Sequence, residues 1–218
     1  MKLRHFISQW QGLILASAFS VALLELRMLR SGNSHYSFLL WNLFLGYIPL
    51  CISYFLVQDA KRSSLKMAIG GLLWLLFFPN APYIITDLMH LSHYKDVPWI
   101  DGLLLFSFAM TSLVAGLISL LHMRSLLQPA LPPLIYRFLT IGVFLLSGFG
   151  VYLGRFERWN SWDILTHPFA LLYNSFHNLT NPKALAVSVA FAACLLAMLQ
   201  LFQQISKTFY DTDSKMPS

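Results

Sequence analysis

The chain has 218 residues, of which 57% are hydrophobic and 11% charged, with a formal net charge of +6. A soluble domain carries about 25% charged residues, so this chain has too few ionic groups to cover a soluble surface of its size. The basic excess does not describe a nucleic-acid surface either, because no Lys/Arg run exceeds two adjacent residues. Its members stand near the ends of apolar blocks, where they orient a membrane protein.

Six such blocks follow one another, at about 6–24, 36–57, 67–85, 102–121, 134–153 and 184–205. Each has about the 20 residues needed to cross some 30 Å of hydrocarbon as a helix. None alternates polar and apolar residues as a barrel strand must. The expected fold is all-α: a polytopic transmembrane helical bundle of about six spans, in one integral-membrane domain over 1–218. Lys2 and Arg4 ahead of the first block resemble a signal peptide. Glu25-Leu26-Arg27 follows that block instead of a small-x-small cleavage site, so an uncleaved first span is expected.

The even loops and both termini hold Lys2, Arg4, Lys61, Arg62, Lys66, Arg124, Lys207 and Lys215, and Arg137 can snorkel to the same side. The other face holds Arg27, Arg30, Lys95, Arg155, Arg158 and Lys183. This bias places both termini in the cytoplasm. Cys51 and Cys194 fall inside apolar blocks and are expected as small core residues, not as a disulfide or metal pair. Small residues suited to close helix contact occur at Ser112/Gly116, Ala115/Ser119, Gly150/Gly154, Ala186/Ala190 and Ala193/Ala197.

The end of the third block is chemically unusual. Pro79 and Pro82 remove two backbone donors and should break the helix, freeing the carbonyls of Leu75 and Phe78. Asn80 can cap a resumed helix that has Pro82 in its first turn. Asp87 and His90 follow three apart, on one helix face. Broken helices at membrane depth recur in transporter binding sites; the plain alternative is a kinked span. Glu25 and Asn42 are placed to face the same region.

The loop after the fifth block alternates arginines with aromatic rings and carries Asn160 and Asp163. A belt of Trp, Tyr and Arg at the headgroups accounts for the rings but not for Asn160 and Asp163. Arg155 and Arg158 could hold an anionic group through their planar forks, or pair with Asp87 or Asp163. Beyond His167, Phe169, Leu172, Tyr173 and Phe176 share one helical face and Asn174, His177 and Asn178 another. An interfacial amphipathic helix is expected at about 168–180. Asn178-Leu179-Thr180 matches a glycosylation sequon.

Asp87, His90 and His93 at i, i+3 and i+6, with Asp163 and His167 from the other loop, form a weak metal-ligand set without an HExxH motif. His5 and His122 stand at the cytoplasmic ends. No GxSxG, phosphate-binding loop or dinucleotide fingerprint is present.

The run Trp74-Leu75-Leu76-Phe77-Phe78-Pro79-Asn80-Ala81-Pro82-Tyr83-Ile84-Ile85-Thr86-Asp87-Leu88 resembles the signature of an uncharacterised bacterial integral-membrane family, domain of unknown function 1361. The run Tyr152-Leu153-Gly154-Arg155-Phe156-Glu157-Arg158-Trp159-Asn160-Ser161-Trp162-Asp163 is similar to its second hallmark. The resemblance implies a bacterial cytoplasmic-membrane location; it carries over no established activity, and cofactors stay open.

Function is therefore expected from the residues alone. One candidate is an outward-facing polar pocket for a small or lipid-linked ligand, lined by Asp87, His90, Arg155, Arg158, Asn160 and Asp163, with Asn80 holding the broken helix and transport as one use. A metal-assisted membrane hydrolase or transferase, with Asp87, His90 and His167 as ligands or proton carriers, is a second candidate. A structural or partner subunit is the third. The expected partners are the lipid bilayer and that ligand; a second copy of the chain could complete a transporter, and nucleic acid is not expected.

Overall fold

The computed structural model describes residues 2–59, 63–93 and 99–213. Lys61, Arg62, Lys95 and Lys215, used above for orientation, lie outside the described residues, as does the side chain of His5. Nine α-helices appear among the described residues, and six segments are long and apolar enough to cross a membrane. The chain is a helical membrane protein of about six spans, divided into two compact units, residues 1–130 and 131–218.

Unit 1 is built from α1 (Lys2–Ser31), α2 (Phe38–Gln58), α3 (Ser64–Phe77), α4 (Asn80–Tyr83), a 3₁₀ helix (Ile84–His93) and α5 (Trp99–Leu127). Helix α1 ends where Gly32 takes a left-handed φ of +62° and donates its N–H to Met28 O at 2.9 Å, the usual glycine stop. Ser63 caps α3 by accepting the Lys66 N–H. Helix α5 is the hub. It packs on α1, α2, α4 and the 3₁₀ helix, and it is the most buried span.

The small residues of α5 show why. Ser112, Ala115, Gly116 and Ser119 are all buried, as the pairing of small residues predicts. A Cβ placed on Gly46 of α2 would collide with Ser112 Oγ, and one on Gly116 would sit 2.6 Å from Ala81 Cβ. The core at the far end from the N-terminus gathers Leu24, Tyr36, Leu39, Leu43, Ile84, Leu104, Leu105 and Phe108.

Unit 2 consists of α6 (Pro133–Arg155), α7 (Asp163–Thr166), α8 (Pro168–Asn178) and α9 (Pro182–Asp213). Proline stands at the first turn of α6 and α8, where its missing N–H costs nothing. Helices α6 and α9 pack along each other. The contact face differs from the expected one. Ala186, Ala190, Ala193 and Ala197 are exposed, whereas Ala184, Ser188, Leu195 and Leu199 are buried. On α6 the close approach is at Gly148, where a Cβ would lie 2.7 Å from Ser188 backbone; Gly150 and Gly154 are only partly buried. Cys51 and Cys194, expected as small core residues, are instead free thiols exposed on helix surfaces.

Helix α8 is inverted relative to a soluble helix. Phe169, Leu172, Tyr173 and Phe176 point outward, while Asn174 and Asn178 turn inward to hydrogen-bond partners. Such an arrangement suits an apolar surrounding.

Candidate functional site

In unit 1 the third span is interrupted at the expected place, but the repair differs. Phe78 and Pro79 keep right-handed helical angles, so the chain turns through the break without leaving it. The Ala81 N–H bonds Phe78 O at 3.1 Å, which takes care of one carbonyl expected to be orphaned. Asn80 Nδ2 then donates to Phe77 O at 2.8 Å. Asn80 thus repairs the turn before the break as a donor. The residue at the N-cap of α4 is Pro79, not Asn80.

The 3₁₀ helix that follows carries Asp87, only 1% exposed. Asn42 of α2 donates its amide to Asp87 Oδ2 at 3.0 Å. The expected approach of Asn42 to this region is therefore present, whereas Glu25 is exposed. A carboxylate this buried in a membrane-spanning unit is costly without polar partners. A 3₁₀ helix has about three residues per turn, so positions 87, 90 and 93 fall on one line of its backbone. The side chains of His90 and His93 lie outside the described residues. Among the described residues, no three His, Cys, Asp or Glu side chains are grouped to hold an ion.

A second polar element of unit 1 went unrecognised in the sequence. Arg27 at the end of α1 forks onto Asp101 at the start of α5, with Nε–Oδ1 3.2 Å and Nη2–Oδ2 3.4 Å. Asp101 is 4% exposed. Arg27 also donates to Ser31 Oγ and Asn33 O and lies 4.7 Å from the centre of the buried Tyr36 ring. A lone acid opening a long apolar span, with an arginine closing an earlier one, was the available signal.

In unit 2 the arginine–aromatic stretch resolves into two local structures. Asn160 and Asp163 come together: Asp163 Oδ2 accepts the Asn160 N–H at 2.7 Å, and Asn160 O accepts the Asp163 N–H at 3.0 Å. Thr166 donates to Asp163 Oδ1 at 3.3 Å, and His167 Nδ1 lies 3.0 Å from Thr166 Oγ1. These contacts organise the turn into α7. Arg155 ends α6, and Arg158 is exposed with a left-handed φ of +61°.

The other structure is a network that the sequence did not reveal. The Tyr152 hydroxyl, 2% exposed, lies 3.1 Å from Glu157 Oε1 and 3.0 Å from Asn178 Oδ1. Asn181 Nδ2 donates to the Tyr152 hydroxyl at 3.0 Å, and Asn174 Nδ2 donates to Glu157 Oε2 at 3.1 Å. Lys183 Nζ sits 3.6 Å from the centre of the Phe156 ring. The polar face predicted for α8 hinted at this, but its partners Tyr152 and Glu157 carried no recognisable signal.

A family model described as "Protein of unknown function (DUF1361)" matches residues 41–198, which takes in the broken third span and the whole arginine–aromatic stretch. The chain belongs to that family. Membership agrees with a multi-pass membrane protein and assigns it no reaction. No curated protein and no solved structure matches the chain.

Proposed function

We propose that the protein binds a small polar or lipid-linked ligand at the end of unit 1 where the third span breaks, with Asp87 as the acid that meets it. The carrying observation is a carboxylate 1% exposed, held by an amide from a neighbouring span beside a discontinuous helix. Ionisable residues inside a membrane are retained for a task far more often than for stability. Discontinuous helices are one way membrane proteins build binding sites.

Asn80 maintains the break, and His90 follows Asp87 in register. Arg155, Arg158, Asn160 and Asp163 are proposed as ligand contacts of unit 2, the arginines for an anionic group. The number of crossings counted in the sequence would bring them to the same membrane face as Asp87. We read that face as the outside of a bacterial cytoplasmic membrane, with both termini cytoplasmic, from the basic-residue bias and the resemblance. Transport is one use of such a site.

The test is co-purification. Wild-type protein and Asp87→Asn, extracted at equal abundance, are compared for retained small molecules and lipids. A compound held by wild type and reduced about tenfold or more, worth some 1.4 kcal/mol of binding, supports the reading. Identical retained sets from two equally well-folded proteins sink it.

A second reading, a structural subunit, draws support from Asn160, Asp163 and Thr166, which bond one another and shape a turn. In that case Asp163→Ala lowers folded yield while function per folded molecule is unchanged.

A further inference from the structure

We propose that a groove between α1 and α2 holds one hydrocarbon chain of a membrane phospholipid, from the leaflet on the N-terminal side of α1. The groove measures ≈ 470 Å³ and is walled by residues between Trp10 and Ser17 on α1 and between Tyr47 and Phe55 on α2. Both stretches lie inside membrane spans, so the medium at that depth is hydrocarbon.

Length and width select the occupant. Eight and nine residues of helix extend about 12–13.5 Å, against about 15 Å for one leaflet of the hydrocarbon core. Spread over that length, the volume leaves a cross-section of roughly 40 Å², about half or less that of a helix 10–12 Å across. A single extended chain lies within that width, whereas a transmembrane helix, from a second copy or from another protein, would rest across the open side.

The chemistry of the two ends agrees. At the deep end the Ser17 and Tyr47 hydroxyls lie 2.7 Å apart, and Ser17 donates to Leu13 O at 2.8 Å. They satisfy each other and ask nothing of an occupant. At the other end Trp10, Tyr54 and His122 bring their rings together, with centroids 5.7 to 6.4 Å apart. His122 is anchored to Ser53 Oγ at 3.2 Å. Tryptophan and tyrosine favour the headgroup level, where the polar end of a lipid belongs. Cys51 stands on the wall with its thiol free.

The experiment uses the full chain in phosphatidylcholine vesicles containing a trace of phosphatidylcholine with a diazirine in one acyl chain. After illumination, adducts are mapped by peptide mass spectrometry. The expected result is an excess of adducts on peptides 10–17 and 47–55 over the exposed Leu185, Val189 and Leu196 of α9, which report general lipid contact. Cys51→Trp, which fills the groove, should lower adducts at 10–17 several-fold and leave those on α9 unchanged. Ile14→Trp fills it from the opposite wall, in case the first variant does not fold.

Adducts spread evenly over the groove and α9 overturn the proposal, as do adducts that neither filling variant reduces. Cys51-to-Cys51 disulfide dimers formed in the vesicles also overturn it, since they place a second copy there. The Asp87 reading is independent and survives either outcome.

Discussion

Arg158 holds a left-handed backbone that glycine adopts freely and other residues avoid. The cost is about 1–2 kcal/mol, and Trp159 N–H closes onto Leu153 O at 3.1 Å just beyond it. Arg158→Gly relieves that strain but frees the unfolded chain, so a net gain of up to about 1 kcal/mol is expected. Thermal unfolding in detergent measures it; a fall in the midpoint shows that the guanidinium holds the structure together. Tyr152→Phe removes the hydroxyl shared by Glu157, Asn178 and Asn181 and should cost about 1–3 kcal/mol, because buried polar groups lose their partner. The same network predicts that the sequon at Asn178 goes unmodified in the folded protein. Asn178 is 4% exposed with its side chain bonded to Tyr152 and Asn174. Its amide cannot reach a glycosylating enzyme.

Between elements, the tie most open to test is Arg27–Asp101, which fastens the end of α1 to the start of α5. Asp101→Ala leaves a mostly buried guanidinium without its counter-charge and should destabilise unit 1 by about 3–5 kcal/mol. Arg27→Met with Asp101→Leu removes both charges and should recover most of that loss. A double variant as unstable as Asp101→Ala alone would show that Ser31, Asn33 and Tyr36 contacts to Arg27 matter more. The helices, their prolines and the break after Phe77 were legible in the sequence, since length and missing N–H groups govern them. The packed faces of α6 and α9 were not. In lipid both sides of a span are apolar, so hydrophobic periodicity carries no information about which side meets protein. Gly148 and Ser188 stand out only when the helices are seen side by side. Likewise Asp87 and Asn42 were readable as polar residues where few are tolerated, but pairing Arg27 with Asp101 across 74 positions needs three dimensions.

For the whole molecule, the decisive quantity is the number of crossings. If each of the six apolar segments crosses once, the α1–α2 and α6–α7 connections are expected on one face and the α2–α3 and α5–α6 connections on the other. The basic residues favour this only by eight to six, with Arg137 added by snorkelling. The placement is testable with single cysteines in a Cys51→Ser, Cys194→Ser background, two positions whose exposure on helix surfaces makes substitution mild. Cysteines at Ser34 and Trp162 should react with a membrane-impermeant maleimide from one side of sealed vesicles. Cysteines at Ser63 and Ser125 should react only from the other, or after the vesicles are opened. Ser34 and Trp162 labelling from opposite sides would mean an odd number of crossings between them. Asp87 and Arg158 would then face different compartments, and no ligand could meet the acid of unit 1 and the arginines of unit 2 from the same solution.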